Sequence, residues 1–130
     1  RAVCRRDVMD ASGGSLLFLS SVYGRAGMAG LVGYSATKGA LVAAVRALAV
    51  ELARRNIRAN CLSPGLVMTA MTEQSLGLLS AAHVEHLKSA HPLGPGLPTD
   101  VAHAAAFLLS PLSRWITGTD LPVDGGYTAQ

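Results

Sequence analysis

The sequence predicts an α/β fold with a parallel sheet, on three observations. A short apolar run, Ser15-Leu16-Leu17-Phe18-Leu19-Ser20, follows the glycine turn Ser12-Gly13-Gly14 and suits a strand covered on both faces. Residues 35–53, rich in Ala, Leu and Val, suit a long helix. A second short run, Ile57-Arg58-Ala59-Asn60-Cys61-Leu62, reads as a strand stopped by Ser63-Pro64-Gly65. Strand, loop, helix and strand form a right-handed crossover, so the two strands should lie parallel.

Taken in order, residues 1–11 read as the end of a helix, so the chain is expected to start inside an element. Residues 22–33 hold four glycines and read as a loop. The helix over 35–53 has few charges, Lys38, Arg46 and Glu51 with Arg54 just beyond, and is expected to be buried on more than one face, against the sheet and a second subunit. Arg54 and Arg55 suit the negative pole of its dipole, and Asn56 is a candidate left-handed cap. Residues 70–91 carry Met71, Leu76, Leu78, Leu79, Val84 and Leu87, which suit either an amphipathic lid over a pocket or a helical excursion covering apolar surface. Thr99-Asp100 opens a helix over 101–110, with Ala102, Ala105, Ala106, Leu108 and Leu109 available for burial. Trp115 and Ile116 lead into a last strand over 119–123, and Asp124-Gly125-Gly126 is a turn.

The chain has 130 residues, half of them apolar and 15% charged, which is material for one core, so residues 1–130 are one domain or part of one. No apolar stretch is long enough for a membrane helix and no hydrophobic signal segment follows the basic start, so the chain reads as cytoplasmic, with no membrane partner. Cys4 and Cys61 lack metal or redox spacing and read as free thiols. A formal charge of +3 with scattered arginines gives no basic stripe, which argues against nucleic acid. His83, His86 and His91 begin with a three-residue spacing, but without a converging carboxylate or cysteine they read as a solvated helix face, and no metal site is expected.

Chemistry concentrates in Tyr34-Ser35-Ala36-Thr37-Lys38. Residues four apart share a helix face, so the Lys38 ammonium can act on the Tyr34 phenol. A free tyrosine keeps its proton up to about pH 10, and a neighbouring cation favours the phenolate. Lysine, scarce here at two residues against nine arginines, is a compact charge with three donors that can also bind sugar hydroxyls. Such a pair also arises by chance, so its placement matters. In open parallel sheets ligands bind beyond the carboxyl ends of the strands. Ser21 follows one such end, Pro64-Gly65 follows the other, and Tyr34 and Lys38 lie on the helix between them.

These residues resemble the short-chain dehydrogenase/reductase family. The resemblance rests on Phe18-Leu19-Ser20-Ser21-Val22, the thirteen residues from Ser21 to Tyr34, Tyr34-Ser35-Ala36-Thr37-Lys38, Asn60-Cys61-Leu62-Ser63-Pro64-Gly65 with Thr69, and Gly118-Thr119-Asp120-Leu121-Pro122-Val123-Asp124-Gly125-Gly126. It covers nearly the whole chain, least so at residues 70–97, and is nearest in look to reductases of the 3-oxoacyl-carrier-protein type. It implies a Rossmann-like doubly wound parallel sheet, of which this is the carboxyl-terminal half only. It also implies an oxidoreductase that moves a hydride between NAD or NADP and a small-molecule carbonyl or alcohol, assembled as a homodimer or homotetramer.

By that resemblance Tyr34 is the general acid/base, Lys38 acts on the phenol and binds the nicotinamide ribose, and Ser21 bonds the substrate oxygen. Pro64, Gly65, Val67 and Thr69 match the segment along the nicotinamide. Departures accompany these matches. No glycine-rich phosphate turn precedes the first strand, and the glycines of residues 24–33 stand at the family's substrate loop instead. The nucleotide half is therefore expected to be absent and these residues alone to be inactive. Family members often carry an arginine in the turn where Leu93-Gly94-Pro95-Gly96 stands. A chain that keeps the fold for binding or assembly, with catalysis lost, is the second hypothesis. A hydrolase using Ser21 is a distant third, since Leu-Ser-Ser-Val lacks the strained glycine elbow.

Overall fold

The computed structural model describes residue 9 and residues 12–130. The helix end expected over residues 1–11 lies, Met9 aside, outside the described residues, as does Cys4. Three strands, β1 (Gly14–Leu19), β2 (Ile57–Pro64) and β3 (Asp120–Val123), form one parallel sheet in the order β1-β2-β3. The register pairs Leu19 with Leu62 and Leu62 with Leu121, so all three strands end on one edge. This is the parallel Rossmann-like α/β arrangement that the sequence predicts.

Helix α1 (Val32–Leu52) starts three residues before the expected point. Val42, Val45, Ala49 and Leu52 are its buried stripe, and Val42 and Val45 pack with Cys61 of β2 and Phe18 of β1. Among the described residues the side expected to meet a second subunit is open, with Val32 82% and Val50 80% exposed. A lone helix on one side of a sheet can turn only one stripe inward, and the remaining apolar side chains face out. Asn56 takes the left-handed conformation (φ 53°, ψ 33°) that turns the chain into β2, and its side-chain amide donates to Ser12 O at 2.9 Å.

Strand β2 is the centre of the core. Ile57, Ala59, Cys61 and Leu62 are buried, and so are the polar Asn60 and Ser63. Asn60 is satisfied on both sides, Nδ2 donating to Ile116 O at 2.9 Å and Oδ1 accepting from Thr119 N at 3.2 Å, which aligns β3 beside β2. Arg58 sends its guanidinium to Leu108 O and Ser110 O at 2.9 and 3.1 Å, capping the carboxyl end of α4 (Pro98–Leu109) with a cation. Burial and the nearby Asp120 push the Cys61 thiol up, so it packs as a free, inert side chain.

Helix α4 begins at Pro98 rather than at Thr99-Asp100. Pro98 occupies the first helical position, and the Asp100 carboxylate accepts from Leu97 N at 2.7 Å. Of its five candidate core residues only Leu108 is buried, while Leu109 is 49% exposed. Residues 70–91 form α2 (Ala70–Leu76) and α3 (Ala81–Ser89), with no fully buried residue in either. Met71 and Leu78 are 78% and 88% exposed, so this excursion covers little apolar surface here. No helix among the described residues is long and apolar enough to cross a membrane.

Candidate active site

The edge where β1 and β2 end holds the predicted residues. Ser20 N donates to Leu62 O at 2.7 Å, extending the β1 and β2 pairing by one step. Ser20 Oγ donates to Lys38 O at 2.8 Å, and Lys38 Nζ returns to Leu19 O at 3.1 Å. These two bonds clamp α1 onto the end of β1. The Lys38 ammonium lies 5.6 Å from the centroid of the Tyr34 ring, on the shared helix face that four-residue spacing implies. Tyr34 is 45% exposed.

Ser21 is 7% exposed and starts the short turn Val22–Gly24, its Oγ accepting from Tyr23 N at 3.3 Å. That turn presses against α1. A Cβ at Gly24 would lie 2.8 Å from Ser20 Oγ and 3.0 Å from the Lys38 carbonyl carbon, so only glycine lets the turn and helix approach this closely. The turn is tied to the far strand as well. Arg25 Nε lies 3.0 Å from Asp120 Oδ2, close enough for strong Coulomb attraction, yet oriented so that the buried Oδ2 receives no hydrogen bond. Asp120 Oδ1 accepts from Ser63 Oγ at 2.6 Å. Tyr23 meets Tyr127 edge-on at 6.1 Å between centroids. Burial first, then the Tyr127 and Tyr34 phenols, push Tyr23 up to about 12, so it keeps its proton at neutral pH.

The segment after β2 runs along the same edge. Gly65 N donates to Val123 O at 3.0 Å, Val67 bridges to Gly96, and Met68 N donates to Gly96 O at 2.8 Å. Thr69 caps α2, its Oγ1 accepting from Thr72 N at 3.1 Å. Ser21, Tyr34 and Lys38 are thus brought to one edge with Pro64 and Gly65, while Val67 and Thr69 continue toward α2. A concavity of about 530 Å³ lies beside this edge, lined by Arg25, Ala26, Tyr127, Thr128 and Gln130, and takes in none of Ser21, Tyr34 or Lys38. A cavity of about 440 Å³ is lined by Leu66 and Val67 together with the 93–96 turn and the end of β3.

A family profile described as enoyl-(acyl carrier protein) reductase matches residues 1–128. The chain belongs to the short-chain dehydrogenase/reductase family. Among relatives of this short-chain dehydrogenase/reductase chain, a 3-oxoacyl-[acyl-carrier-protein] reductase of Chlamydia pneumoniae is 44% identical over 124 residues, 95% of this chain and 48% of that protein. A human 3-oxoacyl-[acyl-carrier-protein] reductase is 45% identical over 93% of this chain and 48% of its own length. The chain therefore spans about half the length of the curated relatives it matches. Among solved structures, a short-chain dehydrogenase/reductase of Burkholderia xenovorans superposes with a TM-score of 0.87 at 33% identity, covering 92% of this chain and 47% of that one. A 2-deoxy-D-gluconate 3-dehydrogenase of Agrobacterium tumefaciens with bound NADP superposes at 0.85 with 30% identity, over 91% and 48%.

Two residues escaped the sequence reading. Arg25 stood in a glycine loop without a visible partner, because Asp120 lies 95 positions away (120 minus 25). His91 was expected on a solvated face, yet it is 5% exposed and its ring bonds Leu66 N and Leu87 O. The signal for it was its place beside Pro92, just past the α3 helix rather than on it.

Proposed function

We propose that this chain carries the acid/base and nicotinamide-facing side of an NAD(P)-dependent oxidoreductase acting on a small-molecule carbonyl or secondary alcohol. The observation that carries this is the clamp at the end of β1, which holds Lys38 Nζ 5.6 Å from the Tyr34 ring beside the buried Ser21. The residues fit a nicotinamide cofactor. Lys38 gives one hydrogen to Leu19 O and retains two for ribose hydroxyls, while the 64–69 segment is tied to β3 through Gly65 N and Val123 O. The nicotinamide supplies or accepts the hydride.

In reduction Tyr34 gives its phenolic proton to the substrate oxygen, and in oxidation it takes that proton back. Lys38 stabilises the phenolate that remains. Ser21 donates to the same oxygen as charge grows on it, from a position fixed by the turn that Gly24 allows. Either NAD or NADP fits this half of the site, and the NADP bound by the Agrobacterium tumefaciens neighbour supports the nicotinamide reading. The test is titration of the full-length gene product that carries these residues with NADH and NADPH, followed by nicotinamide fluorescence. Tyr34→Phe is expected to keep cofactor binding and to lose turnover by about 100-fold or more. Loss of neither would overturn the assignment.

A second reading, assembly of copies of this chain, is favoured by the outward apolar side of α1, where Val32 and Val50 are 82% and 80% exposed. Light scattering after size exclusion tests for a homodimer or homotetramer, and a monomer at all concentrations would remove it.

A further inference from the structure

The bonds of His91 allow only one protonation state. Leu66 N can only donate, and it lies 3.0 Å from His91 Nε2, so Nε2 must present its lone pair. Leu87 O can only accept, and it lies 2.9 Å from Nδ1, so Nδ1 must carry the hydrogen. The buried ring is therefore the neutral Nδ1–H tautomer, sandwiched between α3 and the segment after β2. Tyr127 stacks on its face at 4.9 Å between centroids and 26° between planes. The fit is close: a Cβ on Gly65 would stand 2.8 Å from Nε2 and 2.9 Å from Asp124 Cα, so the ring reaches Leu66 only because residue 65 has no side chain.

We propose that His91 is a positioning residue that holds the 65–69 segment in the conformation lining the nicotinamide. The inference rests on the cofactor-facing reading of that segment. The Leu66 amide has no sheet partner, and its neighbours Gly65 and Met68 are the ones bonded to Val123 and Gly96. His91 is thus the anchor at the bend where the chain leaves β2, and it ties that bend to α3 through Leu87. The carboxyl-terminal turn closes the arrangement. Asp124 receives Gly126 N and the Thr128 amide and hydroxyl, which places Tyr127 over the imidazole, and Gln130 Nε2 donates to Ala90 O at 2.7 Å.

Two measurements on the full-length gene product test this. Long-range proton–nitrogen NMR of nitrogen-15-histidine protein reads the tautomer directly. A protonated Nδ1 with an unprotonated Nε2 is expected, and the opposite tautomer or an imidazolium at neutral pH overturns the proposal. NADH and NADPH titrations then compare His91→Phe with His91→Gln. Phe keeps the ring's bulk and removes both bonds, whereas Gln places an acceptor for Leu66 and a donor for Leu87. His91→Phe is expected to weaken cofactor binding on the order of tenfold while turnover at saturating cofactor changes less than about threefold. His91→Gln is expected to recover most of that affinity. Unchanged binding in His91→Phe, or no recovery in a folded His91→Gln, overturns the positioning role. A wild-type protein that binds neither cofactor sinks the cofactor reading on which the role rests, and the NMR result still decides the tautomer.

Discussion

Replacing Arg25 by Met tests how the turn that follows Ser21 is held. The Arg25 guanidinium is 37% exposed and its partner Asp120 only 2%, with 3.0 Å between Nε and Oδ2. At that separation two unit charges attract by about 5.5 kcal/mol at an effective dielectric near 20 and by about 1.4 kcal/mol at that of water. Arg25 lies between those limits, and Oδ2 gains no hydrogen bond from it, so the pair contributes about 2 kcal/mol. Arg25→Met leaves the Asp120 carboxylate buried with Ser63 Oγ as its remaining side-chain partner and should destabilise the protein by about that amount. Asp120→Asn in the same background removes the stranded charge and should recover most of the loss. The assay is urea unfolding of the wild type, both single variants and the double variant, read as a double-mutant cycle. A coupling under about 0.5 kcal/mol would refute the reasoning and reduce Arg25–Asp120 to a surface contact.

Ser21→Ala should lower turnover by about 100-fold or more while changing cofactor affinity little, because the role we propose for its hydroxyl is felt as charge develops on the substrate oxygen. Loss of its cap on Tyr23 N adds a stability cost of about 0.5–1 kcal/mol, and equal losses in binding and turnover would show a collapsed site instead. Asp124 makes a pH prediction. Burial raises its carboxyl, but hydrogen bonds from Thr128 and Gly126 outweigh burial and hold it below the ordinary value of 3.8. Its stabilising contribution is therefore present above that value and lost as pH falls through the lower folded one. The stability gap between wild type and Asp124→Asn should be constant near neutrality and narrow below about pH 4, and a gap independent of pH would count against this network.

Local pattern determined much of this protein. The β1 and β2 runs, the long α1 helix, the left-handed Asn56 turn and the parallel crossover all follow from periodicity and turn chemistry within a few residues, and all are present. Tyr34 and Lys38 were legible for the same reason, since four-residue spacing on a helix sets their relative position before any packing. Tertiary structure decided what depends on distant partners. The apolar α1 composition could not say which side meets the sheet; the packing of Val42 and Val45 on Phe18 and Cys61 did. Pro64 was expected to stop β2, yet pairing with Val123 carries the strand through it, because a parallel neighbour can accept from Gly65 beyond the missing proline donor. His91 reads as one more polar helix residue until the chain folds, and then Gly65 and Tyr127, far apart in sequence, enclose it while Leu66 N and Leu87 O bond its two ring nitrogens. Arg25 and Asp120 meet because the sheet register brings the end of β1 and the start of β3 to either side of β2, a relation that no local pattern encodes.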